Sequence, residues 1–106
     1  MNVYKKQSIQ KLIVDQAGGE RLILNDLILG RDGAEILAQL VPEYHTSLLH
    51  LEIKGNNIDG DGLEMVFMAL MNCPKLVSIQ VEWNNAGSSP NGLMALLYLV
   101  QNLRFL

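Results

Sequence analysis

Cysteine, basic clusters and long apolar runs are scarce in this 106-residue sequence, and each scarcity excludes a class of protein. Cys73 is the one cysteine, so no internal disulfide can form and a reducing, intracellular compartment is favoured. No basic cluster exceeds the pair Lys5 and Lys6, and the net charge is −3, which argues against nucleic-acid binding. The longest apolar run, residues 93–100, is far shorter than the roughly 20 residues that a membrane span needs.

The acidic segment NNIDGDGLEM invites comparison with a calcium-binding loop. Asn57, Asp59, Asp61 and Gly62 fit the first, third, fifth and sixth places of an EF-hand loop. The twelfth place requires a bidentate glutamate but is Met68, whose thioether is a poor ligand for a hard cation. We therefore expect neither a metal nor a cofactor, and we interpret these acids as helix caps.

Internal repetition is the strongest signal in the sequence. LLHLEIKGNNI, which begins at Leu48, matches LVSIQVEWNNA, which begins at Leu76, in its apolar residues and its asparagine. The common pattern is L-x-x-L-x-L-x-x-N-x-L, and an upstream copy carries Leu27 in place of the asparagine. The repeats are predicted at 20–47, 48–75 and 76–102, after an N-terminal cap helix at 1–19 and before the start of a further repeat at 103–106.

Each repeat is predicted to contain an inner strand and an outer helix, because alternate apolar residues are followed by helical spacing. The predicted strands lie near 21–24, 50–53 and 78–81. The predicted helices lie near 2–16, 32–41, 61–72 and 90–101. Since each strand returns through a helix, the strands should be parallel. The predicted fold class is α/β: a single-domain, short right-handed solenoid with parallel strands inside, helices outside and an N-terminal capping helix.

Asparagine and glycine residues after the strands are predicted to have structural roles. Asn56 and Asn84 fall where the chain leaves a strand, so their amides can bond unpaired backbone groups. Gly33 and Gly62 are expected to let the chain turn into the helix that follows.

Acidic and hydroxyl residues are predicted to cap the helices. Asp61 followed by Glu64 has the spacing of a capping box, and Asp32 with Glu35 has the same spacing in the preceding repeat. In the third repeat, Ser89 is the expected N-cap and is followed by a proline at the first helical position.

These repeats resemble the long, helix-containing leucine-rich repeats of ribonuclease inhibitor, Ran GTPase activators and NOD-like receptors. The resemblance covers about residues 20–106, and the segments LEIKGNNI and VEWNNAG are also similar to those of leucine-rich-repeat proteins of the centrosome and ciliary base. It implies a non-enzymatic scaffold or adaptor that binds other proteins. It also implies a cytoplasmic location in association with the cytoskeleton.

The inner strand face is the first candidate surface for partner binding. It is expected to present Glu52, Lys54, Gln80 and Glu82, with Trp83 at its rim. Lys54 and Glu82 occupy the same place in successive repeats and would be neighbours that can pair. The Trp83 ring is either exposed to a partner or folded onto its neighbours.

The outer helix face is the second candidate surface. We step 100° per residue from Val66 and from Met94, each taken as a core residue. The residues that then point outward are Met68, Met71, Leu96 and Leu99, with Gly92. No charged residue occurs between Glu82 and Arg104, and exposed apolar patches of this kind mark interfaces. Either a partner or another copy covers this face, or further repeats of a longer solenoid do so.

Two functions from different classes follow. The first is a protein–protein interaction module, a scaffold or structural subunit of a larger assembly, with self-association as one form of that role. The alternative is a GTPase activator of the Ran-activator type, for which Arg21 and Arg31 are the arginines that stand out. No catalytic constellation is evident, since His45 and His50 are isolated, and Cys73 is expected to be a buried thiol.

Overall fold

A computed structural model describes all 106 residues and shows a mixed α/β fold with four helices and one parallel sheet of three strands. The strands are β1 (Arg21–Ile23), β2 (His50–Glu52) and β3 (Ser78–Gln80). The helices are α1 (Val3–Asp15), α2 (Gly30–Tyr44), α3 (Gly60–Ala69) and α4 (Pro90–Asn102). Short 3-10 turns lie at Leu70–Asn72 and Ala86–Ser88. The predicted strands and helices are confirmed, with ends that differ by a few residues.

The three strands pair in the order β1-β2-β3 and in a constant register. Leu22 lies beside Leu51, and Leu51 lies beside Ile79. These are the residues that the sequence copies align with one another, so the register follows the repeat. Each helix packs against the helix before it, so the chain advances by one strand and one helix at a time.

The core lies between the sheet and the helices and contains 22 buried residues. Leu51 and Ile53 of the central strand segment are fully buried, and burying a side chain of this size contributes about 1.5–3 kcal/mol. Ile9 and Ile13 of α1 are also buried, so this helix covers the N-terminal end of the core as predicted.

The start of α3 corrects the predicted capping box. Asp59, in an extended conformation, is the N-cap, and its Oδ1 accepts a hydrogen bond from the backbone N–H of Gly62 at 2.7 Å. The prediction that Asp61 caps this helix is wrong, because the helix already begins at Gly60. Asp61 lies in the first turn, where its charge faces the positive end of the helix dipole.

The start of α2 corrects the same prediction one unit earlier. Asp32 lies inside the first turn of a helix that begins at Gly30, and no side chain caps that helix. Ser89 is confirmed as the N-cap of α4, since its Oγ accepts the N–H of Asn91 at 3.3 Å.

The two glycines expected to turn the chain lie inside helices instead. A Cβ added at Gly62 would lie 2.8 Å from Ile58 Cγ2 and 3.3 Å from Ala34 Cβ. Gly33 is similarly close to the Leu29 side chain. The absence of a side chain at these positions therefore allows close packing, and the turn itself is made elsewhere.

Candidate partner-binding surfaces

Two asparagines hold the turns that follow β2 and β3, as predicted. Asn56 is fully buried; its Oδ1 accepts the N–H of Leu27 at 2.8 Å and its Nδ2 donates to the carbonyl of Leu24 at 2.7 Å. Asn84 bonds in a similar way one unit later: its Oδ1 accepts the N–H of Asn56 at 3.3 Å and that of Ile58 at 2.9 Å, and its Nδ2 donates to the carbonyl of Ile53 at 2.8 Å. Each side chain therefore satisfies backbone groups of the preceding turn as well as its own.

The turns that follow the three strands each contain a residue held at positive φ. Asp26, Gly55 and Trp83 occupy equivalent places in successive units, with φ of 57°, 70° and 62°. Glycine adopts this conformation without cost, whereas an L side chain there costs roughly 1–2 kcal/mol. Trp83 is also 85% exposed, so of the two alternatives for its ring the exposed one is confirmed.

The inner strand face is a layer of polar side chains that largely bond one another. Glu52 accepts a hydrogen bond from Asn25 Nδ2 at 3.2 Å and lies 3.6 Å from the Arg21 guanidinium. The pair expected between Lys54 and Glu82 does not form. Instead, the backbone N–H of Lys54 donates to Asn25 Oδ1 at 2.8 Å. The sequence places Asn25 on this face but predicts no bridging role for it, although its position before the first turn could have indicated one.

The rest of this face is part-buried along β2 and β3. His50 Nδ1 and Ser78 Oγ are 2.6 Å apart across β2 and β3, and Gln80 lies beside Glu52 in the register. Glu82 is exposed next to Trp83. Beyond β2 and β3 the freely accessible residues of the inner face are thus Glu82 and Trp83, and Arg21 and Ile23 of β1 are exposed at its other end.

The outward direction predicted for α4 is wrong. Leu99 is fully buried, Leu96 is half-buried against the core, and Met94, the assumed core residue, is 63% exposed. The buried line of the helix instead includes Gly92 and Ala95. A Cβ at Gly92 would lie 2.8 Å from a backbone oxygen at the start of α3, so the close approach of the two helices fixes their rotation.

The exposed apolar surface of α4 is larger than predicted and differently placed. Its exposed residues are Leu93, Met94, Leu97, Tyr98 and Val100, with exposures of 47–63%. On α3, Met68 points outward as predicted and is 45% exposed. The prediction for Met71 is wrong, since this side chain is half-buried and packs against the core.

Arg31, like Arg21, lies beside a carboxylate. Arg31 binds Asp59 at 2.6 Å, and this hydrogen bond raises the pKa of Arg31. The same bond, followed by the N–H of Gly62, lowers the pKa of Asp59. The pKa of Asp32 is lowered by a hydrogen bond from the Met1 ammonium group, 2.8 Å away.

Two buried polar residues tie helices together. His45 Nε2 lies 2.7 Å from the carbonyl oxygen of Ile13 near the end of α1. Cys73 is a buried thiol, as predicted; its Sγ donates to the His45 carbonyl at 3.2 Å, and burial raises its pKa to about 11.

No helix of the chain has the length and apolar character needed to cross a membrane. No group of three or more His, Cys, Asp or Glu side chains is placed to hold a metal ion. No protein-family model and no solved structure matches the chain.

Proposed function

We propose that the chain is a non-enzymatic protein–protein interaction module, a scaffold or structural subunit of a larger assembly. Trp83 carries the proposal: its side chain is 85% exposed while its backbone is held at a φ of 62°. A bulky residue at positive φ costs stability, and this exposed ring recovers almost none of that cost by burial. Tryptophan is enriched among the residues that dominate binding energy at interfaces.

The proposed architecture is a short leucine-rich-repeat solenoid of the ribonuclease-inhibitor-like type, with an N-terminal capping helix. The constant strand register and the asparagine bonds that recur from one unit to the next support it. In such stacks each unit contacts only its neighbours, as the successive helices do here. The repeat boundaries at 20–47, 48–75 and 76–102 belong to this proposal.

The proposed location is the cytoplasm, in association with the cytoskeleton at a centrosome or ciliary base. Its support is the resemblance of LEIKGNNI and VEWNNAG to repeats of proteins found there. The single, buried cysteine fits a reducing compartment.

The chemistry around Trp83 describes the partner that would fit it. Glu82, which is exposed, precedes Trp83 in the sequence, and both residues lie at the end of a polar strand face. An apolar pocket bordered by a basic side chain would match this pair. Met68, on the outer side of α3, is a separate exposed apolar residue available for contact.

The proposal is tested by affinity purification from ciliated cells with quantitative mass spectrometry. Trp83→Gly removes the ring and leaves a residue that tolerates the turn, so the variant should fold. Tyr4→Ala is the matched control, because Tyr4 is an aromatic residue 77% exposed on α1. We expect proteins captured by the wild type and by Tyr4→Ala to be lost with Trp83→Gly. An unchanged set of proteins, or acceleration of GTP hydrolysis by a co-purified GTPase, would refute the proposal.

A further inference from the structure

The two ends of the sheet differ in whether their edges are closed. At the β1 edge, Gln16 Oε1 accepts the N–H of Ile23 at 2.8 Å and its Nε2 donates to the carbonyl of the same residue at 3.1 Å. The side chain of Gln16 thus occupies the place of a neighbouring strand. With α1 covering the core beside it, this end is blocked at Ile23 against pairing with another chain.

The β3 edge is open. The backbone N–H groups of Val81 and Trp83 have no acceptor within the chain. Their equivalents one unit earlier, Ile53 and Gly55, donate to carbonyls of the β3 segment at 2.9 and 3.0 Å. Ile79 is half-buried, although its strand neighbour in β2 is fully buried.

One face of α4, at the same end of the molecule as the β3 edge, is also uncovered. Leu93, Leu97 and Val100 follow helical spacing and are 59%, 56% and 47% exposed. The preceding unit can be compared by aligning Gly92 of α4 with Gly62 of α3. The three residues of that unit that match Leu93, Leu97 and Val100 are at most 2% exposed, and α4 packs on α3. Those residues are Leu63, Phe67 and Leu70. The face of α4 that corresponds to a covered face of the preceding unit is therefore uncovered.

We propose that this open end, formed by the β3 edge and the Leu93–Leu97–Val100 face of α4, binds the same end of a second copy. A two-fold axis at Ile79 runs the two β3 strands antiparallel, so N–H and C=O groups of both edges meet in pairs. The strand residues Ser78–Gln80 are uncharged, and no charge occurs between Glu82 and Arg104, so the helices bring no like charges together. Because Gln16 closes the opposite edge, association stops at two copies.

This dimer extends the chain's role beyond the partner surface proposed for Trp83. The dimer uses the backbone N–H of Trp83, whereas the partner surface uses the indole. Trp83→Gly keeps that N–H and should therefore remain dimeric even if it captures no other protein. The two proposals thus fail in separate experiments.

Light scattering across a dilution series tests the dimer. We expect the wild type to approach twice the 11.8 kDa chain mass at high concentration. Leu97→Glu places an unpaired charge in the interface and should weaken association roughly a hundredfold or more. Val3→Glu, at a residue 61% exposed on α1, should behave as the wild type. Circular dichroism checks the fold of each variant, and Leu93→Glu replaces Leu97→Glu if the latter unfolds.

Hydrogen exchange at single amides locates the contact. The Val81 and Trp83 amides should exchange more slowly in the wild type at high concentration than in Leu97→Glu. A wild type that stays monomeric at every concentration overturns the proposal. So does a dimer that survives both the Leu97→Glu and Leu93→Glu changes, or a mass that keeps growing beyond two copies.

Discussion

Replacing Asn56 with alanine should destabilise the fold far more than the same change at Asn84. Asn56 is fully buried and its side chain makes short bonds to the N–H of Leu27 and the carbonyl of Leu24, with a longer one to the carbonyl of Lys54. Alanine removes these partners where no solvent replaces them. Each buried polar group left unpaired costs about 1–3 kcal/mol, so we expect a loss of roughly 4 kcal/mol in the free energy of unfolding.

Asn84 is the matched control because it makes the same kind of bonds in a more open place. Its Oδ1 accepts from Ile58 and its Nδ2 donates to Ile53, but the residue is only half-buried. Water can bond the groups that its removal uncovers. We therefore expect Asn84→Ala to cost about 1–2 kcal/mol.

Urea unfolding followed by far-ultraviolet circular dichroism measures both changes. Fluorescence is a poor probe here, because Trp83 is 85% exposed in the folded chain and gains little exposure on unfolding. Equal losses for the two variants, or a larger loss for Asn84→Ala, would show that burial of the amide does not set its contribution.

Gly92→Ala should lower the melting temperature, since its Cβ would lie 2.8 Å from a backbone oxygen of α3; Gly87→Ala, with nothing within 4 Å, should not. The pKa of Asp59 is below its ordinary value of 3.8, so the stability from its pair with Arg31 is present above that value and is lost as pH falls below it. Acid unfolding of Arg31→Gln should show less of this loss. Cys73, with a pKa raised to about 11, should react with iodoacetamide at mildly alkaline pH only once urea unfolds the chain.

The sequence allowed the strands, the helices and the turn asparagines to be predicted because their pattern repeats. Asn56 and Asn84 occupy the same place relative to the apolar residues of their repeats. A strand that ends just before each asparagine fits both copies. The sheet register follows from the same offset. Repetition constrains the unit as a whole, so these predictions did not depend on any single residue.

The rotation of α4 and the cap of α3 could not be predicted in the same way. An apolar helix has no polar side to mark its exposed face. The prediction therefore placed Met94 in the core and Leu99 on the outside, whereas Met94 is exposed and Leu99 is buried. A glycine contact at Gly92 sets the rotation, and glycine carries no signal in a hydrophobic pattern. At α3, Asp59 and Asp61 both suit an N-cap, and the choice between them depends on backbone conformation.

The bonds of Asn84 also bear on how the chain folds during synthesis. The N–H of Ile58 and the carbonyl of Ile53 receive their side-chain partners only from Asn84, which lies one full unit further along the chain. While the ribosome is still adding that stretch, the turn after β2 has donors and acceptors that only water satisfies. The side-chain hydrogen bonds of such a turn can therefore form only after the next unit has been synthesised. Stable structure should lag behind synthesis by about one strand and one helix.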